Sequence, residues 1–315
     1  MHDLSEELRH LTRGAWGVAM SPDALRMERR EIFSIRRELL TAMYIAVATL
    51  VGGVGLLIRA NHERIGPVAL LSGIFVVAAL CYALALRVRQ AGRARSLGMD
   101  YVLLLGALLF SAAVGYAELQ FRLFGSGWSR HLLLLAVWHL ATAYLFGSRL
   151  VLSVALTAFA GWLGVEARLG DLLAPRSPVW GMGPRALACA LLFWIGSRLH
   201  RGEGAEGSRF REVYLQFAAN FGFWGALALG GHAATRWLGA LALLVLAFVV
   251  GRAALVERRQ SFLLYAVGYT TVGLVWLEAL LVRNYSLQSW LGLLTVIGAI
   301  VLLLRLRPRL KEYEV

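Results

Sequence analysis

Residues 131–166 read HLLLLAVWHLATAYLFGSRLVLSVALTAFAGWLGVE and contain two apolar runs, at 131–147 and 150–166. Only the short stretch Gly147-Ser148-Arg149 interrupts them. An α-helix rises about 1.5 Å per residue, and about 17 residues are the shortest run that commonly crosses a hydrocarbon layer roughly 30 Å thick. The stretch therefore predicts a tight hairpin of two membrane-spanning helices.

Similar apolar runs recur along the chain, and most of them lack the polar face of a soluble amphipathic helix. The chain is 59% hydrophobic and 16% charged, against about 45–50% and about 25% in average globular domains. We therefore predict an all-α fold, a polytopic transmembrane helical bundle of about ten spans, with nine as the alternative count. The predicted spans are 39–58, 66–86, 101–119, 131–147, 150–166, 184–199, 212–231, 237–255, 261–281 and 287–304.

The basic residues lie mainly in alternate loops. With the N-terminus in the cytoplasm, 23 of the 32 basic residues fall on the cytoplasmic side, as the positive-inside rule requires. Both termini are therefore predicted to be cytoplasmic. The expected parts are an amphipathic N-terminal segment at 1–38, a transmembrane domain at 39–304 and a basic tail at 305–315. The transmembrane domain can be divided into two halves of five spans each, at 39–166 and 184–304.

The net charge of +13 does not indicate a nucleic-acid-binding protein, because the arginines form short clusters between apolar runs and no continuous basic face. A basic segment beside a membrane span favours contact with anionic lipid or with a protein partner. The expected partners are therefore membrane lipids and an anionic lipid or protein at the N-terminal segment. The oligomeric state is left open.

Glu118 is a carboxylate close to the end of the third predicted span. Arg122 follows four residues later, on the same face of a continued helix, so the two side chains are expected to form a boundary ion pair. Alternatively, Glu118 faces inward and joins a polar cluster on the outer side with Arg122, Glu166 and Glu278. Such a cluster could bind a cation, a cationic ligand or a basic segment of a partner.

The polar residues at mid-depth in predicted spans are Ser153 and Thr157, together with three further residues: His139, Gln216 and Asn220. Polar side chains at this depth most often form hydrogen bonds between helices, although the three residues are also the candidates for a midplane ligand pocket. No second histidine lies at the depth of His139, so neither haem nor another metal site is predicted. Cys81 and Cys189 are isolated and are expected to be buried apolar residues. No cofactor is expected.

Three features follow one another along the chain: a charged N-terminal region with the helix start Ser21-Pro22-Asp23, GVGLLIRANHERIG at 53–66, which ends the glycine-rich first span, and GYAELQFRLFGSGWSRH at 115–131 with the hairpin that follows. Together they resemble a bacterial family of polytopic membrane proteins, domain of unknown function 2157 (DUF2157). The resemblance covers about residues 10–170. The family often has a tryptophan after the loop asparagine, whereas His62 follows Asn61 here. The resemblance implies a multi-pass protein of the bacterial cytoplasmic (inner) membrane and supplies no established catalytic residues.

Three functional classes follow from these features. The preferred one is a non-catalytic scaffold or envelope-maintenance protein. The alternative is a transporter or binder of a small or lipidic solute, since ten spans with both termini inside allow the five-plus-five plan of drug/metabolite exporters. An enzyme is least favoured, because no catalytic constellation of residues is apparent in the sequence.

Overall fold

The secondary structure is entirely helical in the residues described by the computed structural model, which are 35–91, 97–123, 130–164, 181–200, 204–257, 259–282 and 284–311. The all-α prediction is confirmed for these residues. The predicted N-terminal segment at 1–38 lies almost wholly outside them. Each of the ten predicted spans corresponds to one helix. The helices are α1 (Ile35–Ile65), α2 (Pro67–Gln90), α3 (Leu97–Phe121), α4 (Arg130–Phe146), α5 (Arg149–Trp162), α6 (Met182–Leu199), α7 (Gly204–Gly230), α8 (Arg236–Val256), α9 (Gln260–Leu281) and α10 (Tyr285–Lys311).

Five helices among the described residues are long and apolar enough to cross a membrane: α2, α3, α8, α9 and α10. The helices of the opening hairpin, α4 and α5, are also apolar but have only 17 and 14 residues. The prediction of a membrane protein with several transmembrane helices is thus supported. The count of ten spans and the cytoplasmic position of both termini stay predictions.

The predicted hairpin of α4 and α5 turns at Gly147. Its φ of +66° lies in the left-handed region, which glycine adopts without a Cβ clash. The Gly147 N–H donates to the Tyr144 carbonyl (3.4 Å) and the Ser148 N–H donates to the Ala143 carbonyl (2.9 Å). These two bonds form a Schellman motif, which satisfies carbonyls at the end of α4. The helices reverse direction here without leaving those carbonyls unpaired in an apolar environment.

The chain divides into two compact units, residues 1–70 and 71–315. Among the described residues, the first unit contains α1 and the start of α2, which meet at Gly66 (φ +78°). In the second unit, α6 packs along α7, α4 along α5, and α8 against both α7 and α9, while α10 packs against α9. The main core of this unit includes residues from both expected five-span halves, among them Ala107, Ala143, Val151, Leu152, Ala186, Cys189 and Phe193.

Helices α7 and α8 approach each other closely at Gly230 and Gly239. A Cβ at position 239 would overlap the backbone nitrogen of Gly230 and lie 2.7 Å from the Ala226 carbonyl oxygen. The turn between the helices is held by the Thr235 hydroxyl, which donates to the Leu229 carbonyl (2.8 Å). Small residues at such contacts let backbones approach in lipid, where van der Waals packing drives helix association.

The second unit has one end that is rich in arginine, called here the basic end. Helices α4, α6, α8 and α10 terminate there, and α5, α7 and α9 begin there. Contacts between these termini define the end: the start of α5 and the α8–α9 turn both reach the start of α7, and the last turns of α10 pack beside the start of α9.

We expect Gly239→Ala to destabilise the protein by about 1–3 kcal/mol, because the added methyl forces two backbones apart in a packed region. Gly268→Ala is the matched control, since a Cβ there would meet no atom within 4 Å. Thermal unfolding of the purified protein in detergent measures both variants. Equal melting temperatures for the two variants would contradict the close packing of α7 on α8.

Candidate functional site

A chain of hydrogen bonds joins Tyr214, Tyr144 and His200 at the basic end. The His200 Nδ1–H donates to the Gly196 carbonyl (2.9 Å), since a carbonyl only accepts. In the neutral imidazole, Nε2 then accepts from the Tyr144 hydroxyl (2.8 Å). The Tyr214 hydroxyl in turn donates to the Tyr144 oxygen (3.1 Å). The chain thus runs in one direction and ends at a backbone carbonyl, which cannot pass a proton on.

The three rings of this chain also pack against one another. The His200 ring stacks on Tyr144 and Tyr214, with centroid distances of 5.6 and 5.4 Å, and Phe210 meets Tyr144 edge-on. Gly196 provides the room, because a Cβ there would lie 2.9 Å from the Tyr214 ring. The hydrogen bonds and the ring contacts together hold the end of α4 against α6 and α7.

Five charged residues form an ion-pair network beside this chain. Glu212 on α7 lies 3.6 Å from Arg259 and 4.0 Å from Arg149. Glu257 lies 3.2 Å from Arg259 and 3.1 Å from Arg211. The pairs are partly exposed, so each contributes little alone, but a network that shares its charges holds its members more firmly than isolated pairs do. It connects the start of α5, the start of α7 and the α8–α9 turn.

His139 is fully buried and bonds between helices. Ser111 on α3 donates its single hydroxyl proton to the Ala107 carbonyl (2.9 Å), so the His139 Nε2–H donates to the Ser111 oxygen (2.7 Å). His139 Nδ1 is buried with no hydrogen-bond partner among the described residues. The expected role as a helix–helix hydrogen-bonding residue is confirmed.

Asn220 likewise bonds between helices. The Tyr269 hydroxyl on α9 donates to Asn220 Oδ1 (2.9 Å), and Asn220 Nδ2 donates to the Gln216 carbonyl (2.9 Å). The Tyr269 ring stacks on Phe223, at a centroid distance of 5.1 Å. Asn220 thus connects α7 to α9, while His139 connects α4 to α3. The role of His139, Gln216 and Asn220 as a shared midplane pocket stays a prediction.

Glu118 is buried, with 3% of its surface exposed, whereas Arg122 is exposed. Helix α3 ends at Phe121 and Arg122 adopts a left-handed φ of +49°, so the two residues do not lie on one continuous helix. The expected ion pair between their side chains stays a prediction. The Arg122 N–H closes the helix end by donating to the Glu118 carbonyl (2.9 Å). The Glu118 side chain is thus buried, and its place in an outer polar cluster stays a prediction.

Glu278 pairs with a neighbouring helix. The Thr295 hydroxyl on α10 donates to Glu278 Oε1 (2.5 Å), and Oε2 has no hydrogen-bond partner among the described residues. Glu118 and Glu278 lie on helices with different neighbours, since α3 packs against α4 and α5 whereas α9 packs against α7, α8 and α10. Glu166 lies outside the described residues, so the four-residue outer cluster stays a prediction.

Two cavities lie among the C-terminal helices of the second unit. The larger, about 500 Å³, is a crevice between α8, α9 and α10 that opens to the surface. The smaller, about 70 Å³, lies between α7, α8 and α9 beside Arg236 and Trp276. The walls of both are mainly apolar, and neither is lined by His139, Gln216 or Asn220.

The described part of the chain contains no group of three histidine, cysteine, aspartate or glutamate side chains close enough to share a metal ion. Cys81 and Cys189 are free thiols, the second fully buried. The polar side chains described above mainly link helices.

We expect Tyr144→Phe to destabilise the protein by about 1–3 kcal/mol, because one hydroxyl serves both His200 and Tyr214 and the substitution removes two hydrogen bonds to buried residues. Tyr285→Phe removes a hydroxyl from a side chain that is 85% exposed and should leave stability unchanged. Thermal unfolding of both variants in the same detergent compares them. If Tyr144→Phe were as stable as Tyr285→Phe, the hydrogen-bonded chain would not hold α4 to α7.

No protein-family model matches this chain, and neither the curated proteins nor the solved structures contain a significant match. The resemblance to domain of unknown function 2157 thus stays a prediction.

Proposed function

We propose that the chain is a non-catalytic scaffold or envelope-maintenance protein that spans the bacterial cytoplasmic membrane ten times, with both termini in the cytoplasm. In this orientation the basic end faces the cytoplasm, as the excess of arginine there favours. The basic N-terminal segment at 1–38 would then contact anionic lipid or a protein partner at the same membrane surface.

The observation that carries the proposal is the exposed apolar surface of the C-terminal helices. None of the apolar span of α10 is buried within the chain, and only 17% of the α9 span and 22% of the α8 span are buried. Surfaces of this size are covered by lipid or by another protein. A protein that acts through such a surface needs a stable bundle behind it, and the interhelical hydrogen bonds of Asn220, His139 and Tyr144 support this requirement.

The alternative function, a transporter or binder of a small or lipidic solute, is favoured by one feature, the crevice between α8, α9 and α10. Its volume of about 500 Å³ lies within the range of small-molecule sites, about 300–1,000 Å³. The crevice opens sideways along the helices, which suits a ligand that enters from the lipid phase. An alternating-access transporter would in addition change its conformation at the basic end.

Electron–electron distance measurements with paired spin labels separate the two functions. We would label Leu145 on α4 and Val256 on α8, both exposed near the basic end, in a background with Cys81→Ala and Cys189→Ala. A scaffold should give one narrow distance distribution in lipid nanodiscs at every pH and sodium concentration tested, because it has one stable conformation.

The matched control pair is Leu134 and Thr157, which both lie within the α4–α5 hairpin. The distance between them should be the same whether the protein is a scaffold or a transporter. A second distance population for Leu145 and Val256, with a single population for the control pair, would show that the bundle alternates between two states. That result would reject the scaffold in favour of the transporter.

A further inference from the structure

The crevice between α8, α9 and α10 is wide because small residues line it. Gly251 and Ala247 on α8 face Ala266 on α9, and Gly298 and Ala299 lie on α10. A Cβ at Gly298 would meet no atom within 4 Å, and one at Gly251 only the Ala266 Cβ at 3.9 Å. The space beside these glycines is therefore open and not filled by a neighbouring side chain.

The polar side chains in the crevice wall are directed into the protein. Thr295 donates its hydroxyl proton to Glu278 Oε1, and Thr271 donates to the Val267 carbonyl (2.7 Å). The hydroxyl oxygen of Thr270 is buried and has no hydrogen-bond partner among the described residues. The rest of the wall consists of apolar residues such as Leu255 and Leu302. The crevice therefore offers van der Waals contact to an alkyl chain and few hydrogen bonds to a polar solute.

Two arginines stand where the crevice reaches the basic end. Arg305 lies three residues after Leu302 and seven after Gly298, so it shares the face of α10 that lines the crevice. Arg252 directly follows the lining residue Gly251 on α8. Both side chains are exposed, and within the described residues neither forms an ion pair. Two arginines without an ion pair among the described residues, at one end of an apolar groove, match a ligand with an apolar chain and an anionic head.

We propose that this crevice binds one acyl chain of an anionic phospholipid, with the lipid phosphate held by Arg252 and Arg305. The inference rests on the proposed placement of the chain in the membrane with its basic end at a lipid headgroup layer. Arginine binds phosphate through paired N–H donors, and anionic lipid attracts each nearby arginine at a membrane surface. The lipid serves as a structural ligand that covers part of the exposed surface of α8, α9 and α10.

A second copy of the chain fits the crevice less well. Two copies in one membrane have the same orientation, so a symmetric contact through α10 would bring two basic ends together. Arg252 and Arg305 of one copy would then approach the same arginines of the other, and like charges repel across an interface. An anionic lipid instead neutralises these charges.

Native mass spectrometry of the purified full chain, titrated with phosphatidylglycerol or phosphatidylcholine, tests the proposal. We expect the wild type to hold one phosphatidylglycerol molecule more tightly than any phosphatidylcholine. Arg305→Gln and Arg252→Gln should each weaken that binding about fivefold, which corresponds to about 1 kcal/mol. Arg87→Gln, at an exposed arginine near the end of α2, should not change it.

A pair of glycine variants tests the groove itself. Gly298→Leu fills the crevice and should remove the tight phosphatidylglycerol site, whereas Gly268→Leu, also in open space but outside the crevice, should keep it. The proposal would be overturned if the wild type bound both lipids equally, or if the two glycine variants bound phosphatidylglycerol equally. It would also be overturned if the purified chain were a dimer without bound lipid, with the crevice covered by the second copy. These lipid-binding results do not depend on whether the protein is a scaffold, because the spin-label distance measurements test the scaffold function separately.

Discussion

The packing of the helices rests on polar groups that are paired with one another away from water, because an unpaired polar group there costs free energy. The pairing is incomplete, since His139 Nδ1 and Glu278 Oε2 have no hydrogen-bond partner among the described residues. At the turn between α4 and α5, Gly147 satisfies helix carbonyls through a left-handed residue. Between the helices, Asn220 receives the Tyr269 hydroxyl and His139 bonds Ser111. At the basic end, Tyr144 satisfies two buried groups at once. Each hydrogen bond between helices specifies which helices lie side by side. The bonds that pair the polar groups therefore also determine the packing of the helices.

The distribution of these polar contacts divides the second unit into regions of different character. Helices α3 to α7 share a common core and carry most of the buried polar contacts, with small residues where backbones approach. Helices α8 to α10 have few buried side chains and present apolar surface to their surroundings. The exposed surface and the crevice both belong to this second group, and Thr295 with Glu278 is the described polar contact that holds α10 to α9. Helices α8, α9 and α10 thus have the least buried of the candidate membrane spans.

The helices and their approximate bounds could be predicted from the sequence because an apolar run of spanning length is a local signal, as in the hairpin at 131–166. Packing could not be predicted, since helices that are apolar on all sides do not show which face is buried. Tyr144 lies 56 residues before His200 and 70 residues before Tyr214, and no spacing rule connects them. The end of α3 was not predicted at Arg122, because a non-glycine residue takes the left-handed position that ends the helix. His139 and Asn220 were identified correctly as interhelical residues because polar groups at mid-depth need partners.

The central claim is that the helices lie in lipid with the basic end at the cytoplasm. Labelling of single cysteines by a membrane-impermeant maleimide in intact cells tests it most directly, in a background with Cys81→Ala and Cys189→Ala. Gln90→Cys marks the exposed end of α2, and Tyr285→Cys marks the exposed start of α10. We expect position 285 to react in intact cells and position 90 to react only after the cells are opened. Labelling of position 90 in intact cells, with position 285 protected, would contradict it.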